Sequence, residues 1–425
     1  MANTLSLRQA KDLVNHTIDN NFKLQEEGKM PVAISFEASA GIGKTSFIRQ
    51  VAEERQMGFT KLNMAQLEEP GDLIGFPQTE YECQIAKKIK QQDGSVKLEV
   101  LPKTAWLNAK QLDTMDKALV RQTGKTRMGY AKPAWVPSYN ENGNIVLLDD
   151  YVRGNQQLMQ ACMDLILEQK YVSWSLPKNT TIVLTNNPDN GENNVSSLDE
   201  AQKSRFLNYE VEFDLDAWSQ WAEKAKVDGR CINFVLTYSK ELFEADDEGN
   251  RICNPRSFVM FADMISGIKD WDVPANLDFI TMIAKGCFKD DANRFSQMFN
   301  SFIRNKMHTL IQPSEVLNDK WDVLQPKLMS TVYDSTGEWR PDIAQVIEKR
   351  FTNYVNAWLD SPADTPIKKV IDRIVNFIKE PETNGGKQIF NYELLYHMVK
   401  SITADHKNQT FKIMYDPTIA ATINA

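Results

Sequence analysis

Two periods of apolar residues run along the first half of the chain. Residues 6–20 place Leu7, Ala10, Leu13, Val14 and Ile18 on one stripe, which predicts a helix. Residues 32–36 (Val-Ala-Ile-Ser-Phe) form a short apolar run, which predicts a buried strand, with a helix beginning near Ser46. Further strands are predicted over residues 59–63, 144–148, 180–185 and 209–213. Between the third and fourth, Leu158, Met159, Cys162, Leu165 and Ile166 make a helical stripe that reads as core. This alternation predicts an α/β fold with an open, parallel five-stranded sheet covered on both faces. Residues 66–143 read as long and irregular, apart from a hairpin with Asp93-Gly94 between residues 84–92 and 95–101. Beyond residue 216 the pattern is helical. Asp216 reads as the N-cap of a helix over residues 217–225, and Asn254-Pro255-Arg256 as the start of another. Trp218 and Trp221, three apart, read as packing residues, as does Trp135.

Composition narrows the class. The 425 residues fit two large domains or three smaller ones. With 42% apolar and 25% charged residues the chain reads as globular, neither disordered nor fibrous. No run of 18 apolar residues exists and residues 1–18 lack an apolar signal core, so neither a membrane span nor a signal peptide is expected. The five cysteines form no CxxC pair and the four histidines (His16, His308, His397, His406) are scattered. A disulfide framework or zinc site is not expected, and the compartment reads as cytoplasmic. The net charge of −8 gives no electrostatic footprint of a nucleic-acid binder. The basic cluster Arg121, Lys125, Arg127 and Lys132 reads as a solvated loop; its alternative role is to line a pore that meets an acidic partner or single-stranded nucleic acid.

The strongest chemical signal is the stretch from Ala38 through Ser39, Ala40, Gly41, Ile42, Gly43, Lys44 and Thr45, placed between a strand and a helix. Glycines let a loop close around a phosphate, and a helix N-terminus adds positive dipole. Lys44 is suited to reach the outer phosphates and the Thr45 hydroxyl to hold Mg²⁺. The full pattern is GxxxxGK[ST], and Ala38 stands at its first glycine. A second Gly-Lys-Thr, Gly124-Lys125-Thr126, follows no apolar strand and reads as a loop. A nucleotide site of this type also needs a carboxylate at the end of a neighbouring strand. Asp149 fits the metal shell; Asp150 fits either a water-activating base or a plain N-cap.

In order along the chain, these motifs resemble the MoxR-like branch of the AAA+ ATPases. The Lys44 loop resembles Walker A, and Leu147-Leu148-Asp149-Asp150-Tyr151-Val152-Arg153 resembles the Walker B run LDEINRA. Residues 157–163 match the helix behind it. Thr185-Asn186-Asn187-Pro188 resembles T-x-N-P, which makes Asn187 the sensor 1 residue. Residues 198–206 resemble L-x-E-A-x-x-D-R-F, which makes Arg205 the arginine finger, and Asn254-Pro255-Arg256-Ser257 makes Arg256 the sensor 2 residue. Asp72-Leu73-Ile74-Gly75 matches a D-L-x-G segment, and the hairpin falls where this branch carries its helix-2 insert. Residues 216–222 are similar to a W-x-x-W-A segment of phage and prophage members. Three departures stand out: Ala38 for glycine, Asp150 for glutamate, and Ser204 for the aspartate before the finger.

The resemblance covers residues 30–270 and implies a P-loop AAA+ domain over 1–215, with the insert near 80–101. It implies a helical lid over 216–275, followed by a mainly helical region of unknown role over 276–425, of which residues 290–425 match nothing nameable. It implies ATP and Mg²⁺ as cofactors, Asp150, Asn187, Arg205 and Arg256 as catalytic residues, and Thr45 with Asp149 at the metal. It further implies a homo-hexameric ring that remodels a protein client, with a von Willebrand A domain protein as partner. Two alternatives stay open: a nucleotide-gated structural switch that hydrolyses slowly, and a nucleic-acid-directed NTPase motor of the restriction-subunit type.

Overall fold

The computed structural model describes residues 4–90, 96–188, 200–244, 251–359, 367–383, 385–405 and 412–424. The Asp93-Gly94 turn, Leu198, Asp199 and His406 lie outside the described residues. The chain divides into two units, Met1–Glu212 and Phe213–Ala425.

The first unit contains β1 (Thr4–Leu5), α1 (Leu7–Glu26), β2 (Ala33–Glu37), α2 (Lys44–Glu54), β3 (Gly58–Asn63) and α3 (Pro70–Ile74). Next come β4 (Pro77–Lys90), β5 (Val96–Val100), β6 (Ala105–Asn108), α4 (Ala109–Thr114) and β7 (Val120–Tyr130). The unit closes with β8 (Asn144–Asp149), α5 (Gln156–Glu168), β9 (Thr180–Asn186), α6 (Glu200–Lys203) and β10 (Phe206–Val211). Six strands form one parallel sheet in the order β1-β10-β2-β9-β8-β3.

Burial explains the central strands. Ile145, Val146, Leu147 and Leu148 are fully buried, as are Ile182, Val183 and Leu184, which is the mark of a parallel strand covered on both faces. α1 starts at Ser6, whose hydroxyl and the Gln9 side chain form a reciprocal capping box. Its Asn21 amide brackets Val32 from both sides, accepting from Val32 N at 2.8 Å and donating to Val32 O at 2.9 Å, and so fixes the entry to β2.

The structure corrects the sequence reading in four places. The sheet has six strands, not five: Thr4 and Leu5 pair in parallel with Glu210 and Val211, and two residues are too short to carry an apolar period. The last strand runs over Phe206–Val211, three residues earlier at its start than expected. Residues 66–143 are not irregular. β4 pairs antiparallel with β5, β6 and β7, so the expected hairpin is part of a four-stranded sheet. Arg121, Lys125 and Arg127 therefore lie on β7 and not on a loop. Arg127 is tied down as well: its guanidinium lies 2.8 Å from the buried Glu80 carboxylate and stacks 4.5 Å over the Trp106 ring.

Gly75 closes the base of this second sheet. Its φ is +94°, and a Cβ there would fall 1.8 Å from the Ala131 carbonyl oxygen, so the D-L-x-G glycine is required by backbone approach. The Trp135 and Trp174 indoles donate to the Leu73 and Ile74 carbonyls at 3.0 and 2.9 Å and pack edge to face.

The second unit is helical and begins with α7 (Leu215–Lys224), α8 (Gly229–Phe243) and α9 (Pro255–Ile265). The fourth correction falls here: the cap of α7 is Asp214, which accepts from the Asp216 and Ala217 N–H groups at 3.0 Å, and not Asp216. α9 opens as the sequence suggested, with Asn254 as cap and Pro255 in its first turn. One continuous core runs from Trp218 to Ile419. At its heart Phe234 meets Phe295, Phe299 and Phe302 at ring separations of 5.4, 5.4 and 5.1 Å. Each such buried side chain contributes about 1.5–3 kcal/mol. Trp218 belongs to this core, whereas Trp221 is 43% exposed. Among the described residues no helix is long and apolar enough to cross a membrane.

Candidate functional site

β2 ends at Glu37, and the loop that follows turns back over the carboxyl-terminal edge of the parallel sheet. Ala38 N donates to the Asn186 carbonyl at 3.1 Å, which pins the start of the loop to the end of β9. Gly41 and Gly43 adopt φ of +84° and +101°, values that a side chain would strain. Ala38 is absent from the positive-φ positions, so its methyl group is accommodated where the pattern has glycine. Gly43 caps α2 with no side-chain hydrogen bond, and a helix N-terminus of this kind favours an anion. Nothing lies within 4 Å of where a Gly43 Cβ would sit.

Lys44 is buried, and its ammonium donates to the Ser39 carbonyl at 3.2 Å and to Asn187 Oδ1 at 2.8 Å, with a further bond to the Ala38 carbonyl. The Asn187 amide continues the chain by donating through Nδ2 to Asp150 Oδ1 at 2.9 Å. Asp150 itself holds the left-handed conformation at φ 53°, ψ 48°, which aspartate tolerates better than most residues. Arg153 Nε lies 3.8 Å from its other oxygen. The turn is fixed from beneath by Asn186, which accepts from Val152 N at 3.2 Å and donates to the Ser35 hydroxyl at 3.1 Å.

Asp149 sits beside this chain. Its Oδ1 accepts from the Thr45 hydroxyl at 3.0 Å and from the Thr185 hydroxyl at 2.6 Å, while Lys61 Nζ lies 2.6 Å from Oδ2. Burial pushes the carboxyl pKa up. The hydrogen bonds from Lys61, Thr185 and Thr45, with the Lys61 charge, outweigh it and hold the group below the ordinary aspartate value.

The sequence-derived residues thus separate into three groups. The loop from Ala38 to Thr45, with Asp149, Asp150 and Asn187, converges on one edge of the sheet. Arg205 does not. It precedes Phe206, which pairs with Ala33 at the opposite end of β2, and the four-residue step from Ala33 to Glu37 spans about 13 Å. Arg205 is half-buried and among the described residues makes no ion pair. Arg256 belongs to the other unit, exposed in the first turn of α9. Lys61, Thr185 and Asn186 complete the site, and the sequence singled out none of them for a role. Thr185 and Asn186 lay inside the T-x-N-P match, the one signal that pointed near them.

A polyphosphate with Mg²⁺ fits these residues. Gly43 leaves open space in front of α2, the helix N-terminus adds positive dipole, and a hydroxyl stands beside a carboxylate as a hard divalent cation requires.

No family model matches the chain, and no curated protein matches it. Among solved structures, one of Thermotoga maritima RuvB has 11% sequence identity and a TM-score of 0.32, covering 80% of this chain and 87% of that one. A second RuvB structure, also at 11% identity, gives a TM-score of 0.31 over 75% and 76%. A third, described as a Holliday junction branch migration motor, has 12% identity and a TM-score of 0.30 over 79% and 87%.

Proposed function

We propose that this chain is an AAA+ ATPase of the MoxR-like branch, which assembles with copies of itself into a hexameric ring and remodels a protein partner. The observation that carries the reading is the convergence of two hydrogen-bonded sets on one edge of the parallel sheet, Lys44–Asn187–Asp150 and Thr45–Asp149. Mg²⁺-ATP, when bound, supplies the phosphoanhydride bond and the metal that screens its charge. Lys44 and the first-turn amides of α2 hold phosphate, while Thr45 and Asp149 hold the metal. Asp150 takes the proton of an attacking water, and Asn187 fixes that carboxylate relative to Lys44.

Arg205 stands just before β10, at the far end of the sheet from its own loop, so in this reading it acts on a neighbouring copy. Arg256 belongs to the lid, residues 216–275, and senses the nucleotide from there. The last 135 residues carry the specificity for the client, and relatives in this branch often work with a von Willebrand A domain protein. The setting is the cytoplasm, that of the host for a phage-encoded member. A second reading, a slow nucleotide-gated switch, is favoured by the carboxylate at position 150. Aspartate is one methylene shorter than the family glutamate, and here Asn187 already engages it.

The test is steady-state Mg²⁺-ATP hydrolysis across a protein concentration series, beside Lys44→Ala and Arg205→Ala. Specific activity that rises with concentration and is lost in both variants supports the ring ATPase. ATP binding without turnover selects the switch. Binding and turnover both indifferent to Lys44→Ala would overturn the nucleotide site altogether.

A further inference from the structure

We infer that Lys61 is a tethered cation that competes with the divalent metal for the Asp149 carboxylate, and so sets how much Mg²⁺ the protein needs to bind nucleotide. The inference rests on the nucleotide reading above and concerns a residue outside the motif set. Lys61 pairs with Leu147, and Asn63 with Asp149, so Lys61 and Asp149 share a face of the sheet, one strand and two residues apart. That offset is about 8 Å between Cα atoms, a gap that takes a long side chain to cross. Lysine crosses it, bringing Nζ to 2.6 Å from Oδ2.

The two carboxylate oxygens are used differently. Oδ1 receives neutral hydroxyls from Thr45 and Thr185, short side chains fixed on α2 and β9. Oδ2 receives a full positive charge on a flexible stem. The Lys61 side chain is 35% exposed and that of Asp149 only 12%, so the ammonium has water to retreat into while the carboxylate does not. A hard divalent ion held by Thr45 and Asp149 seeks the same oxygen charge. Two cations at one carboxylate repel, and the mobile one yields. Without metal, Lys61 keeps a largely buried carboxylate paired; removing it leaves that charge uncompensated.

A purely positioning role, in which Lys61 holds Asp149 ready for the metal, predicts the opposite sign. The experiment therefore reads Mg²⁺ dependence in the full chain. A fluorescent ATP analogue is titrated with Mg²⁺ for wild type, Lys61→Met, Lys61→Gln and Lys61→Arg, with thermal unfolding followed in EDTA and in Mg²⁺ plus ATP. Competition predicts half-saturation at lower Mg²⁺ in both neutral variants, by on the order of tenfold, with Lys61→Arg near wild type. It also predicts that the neutral variants melt below wild type in EDTA and recover with Mg²⁺ plus ATP. An unchanged or higher Mg²⁺ requirement in the neutral variants, while wild type binds in an Mg²⁺-dependent way, overturns the Lys61 inference alone. No Mg²⁺-dependent binding by wild type overturns the nucleotide reading, and the inference falls with it.

Discussion

The Lys44 ammonium donates to Asn187 Oδ1 at 2.8 Å, which joins the cation of the glycine loop to the end of β9. The other atom of the same amide reaches Asp150. One side chain thus fixes both the cation and the carboxylate of the site. Replacing Asn187 by alanine frees Asp150 without removing any phosphate ligand. ATP affinity is expected to stay near the wild-type value while turnover drops by about 10²-fold. Paired binding and single-turnover measurements check this; an equal loss in both would instead mean that Asn187 shapes the loop.

Arg205 offers a test that depends on geometry between copies. Arg205→Ala is expected to keep nucleotide binding and lose about 10³-fold in turnover. Mixing it with Lys44→Ala recreates sites in which an intact loop faces an intact arginine. Activity should reappear in the mixture although each component is dead. A mixture as inactive as its parts would count against action in trans.

Acidity reaches the second unit through two histidines with opposite signs. His308 is buried against Trp271 and Phe302, and burial lowers its pKa from 6.5, against the opposing pull of Asp272. Above that pH both folded and unfolded states are neutral. As pH falls, the unfolded chain takes up the proton first, and stability is lost until the folded pKa is passed. His397 has its pKa raised, chiefly by its hydrogen bond to the buried Glu348 carboxylate. Its contribution is full below 6.5 and lost as pH rises through the folded value. Melting temperatures between about pH 5 and 8 should fall less steeply on acidification in His308→Phe and more steeply in His397→Ala than in wild type.

Arg350, on the helix Pro341–Leu359, is the buried charge that the second unit depends on most visibly. Its Nε lies 2.9 Å from Glu223 on α7, and Nη1 donates to Asn233 and Gln312 at 3.1 Å each. Both partners of the ion pair are under 10% exposed. Glu223→Ala strands the guanidinium and is expected to cost about 3–5 kcal/mol. Gly229→Ala attacks the same cluster from the side, since a Cβ would lie 2.4 Å from Gln312 Oε1. Chemical denaturation of the second unit measures both, and near-wild-type stability in Glu223→Ala would show that water reaches the cluster.

What the sequence revealed, and what it hid, follows from burial. β8 and β9 were legible because both faces are covered and their apolar runs are unbroken. β7 was not, because almost every residue from Val120 to Met128 faces solvent, so alternation carries no signal. Lys44 was found through the glycine loop between strand and helix, Asp149 through its place at a strand end, and Asn187 through motif order. Lys61 escaped because its role comes from a neighbouring strand's register, which no linear spacing records. The first Gly-Lys-Thr opens a helix just after a buried strand, whereas the second, Gly124-Lys125-Thr126, lies in the middle of a strand.

The sheet order also sets a timetable for the ribosome. β2 is flanked by β9 and β10, so both of its edges wait for residues beyond 180. At translation rates of about 5–20 residues per second, that delay is on the order of 10 s. The antiparallel strands β4 to β7 are neighbours in sequence and can pair in the interval. A nascent chain therefore displays an apolar strand with two bare edges, and carries its glycine loop long before anything holds that loop in shape. Chaperone demand during synthesis follows from the order in which the partners emerge.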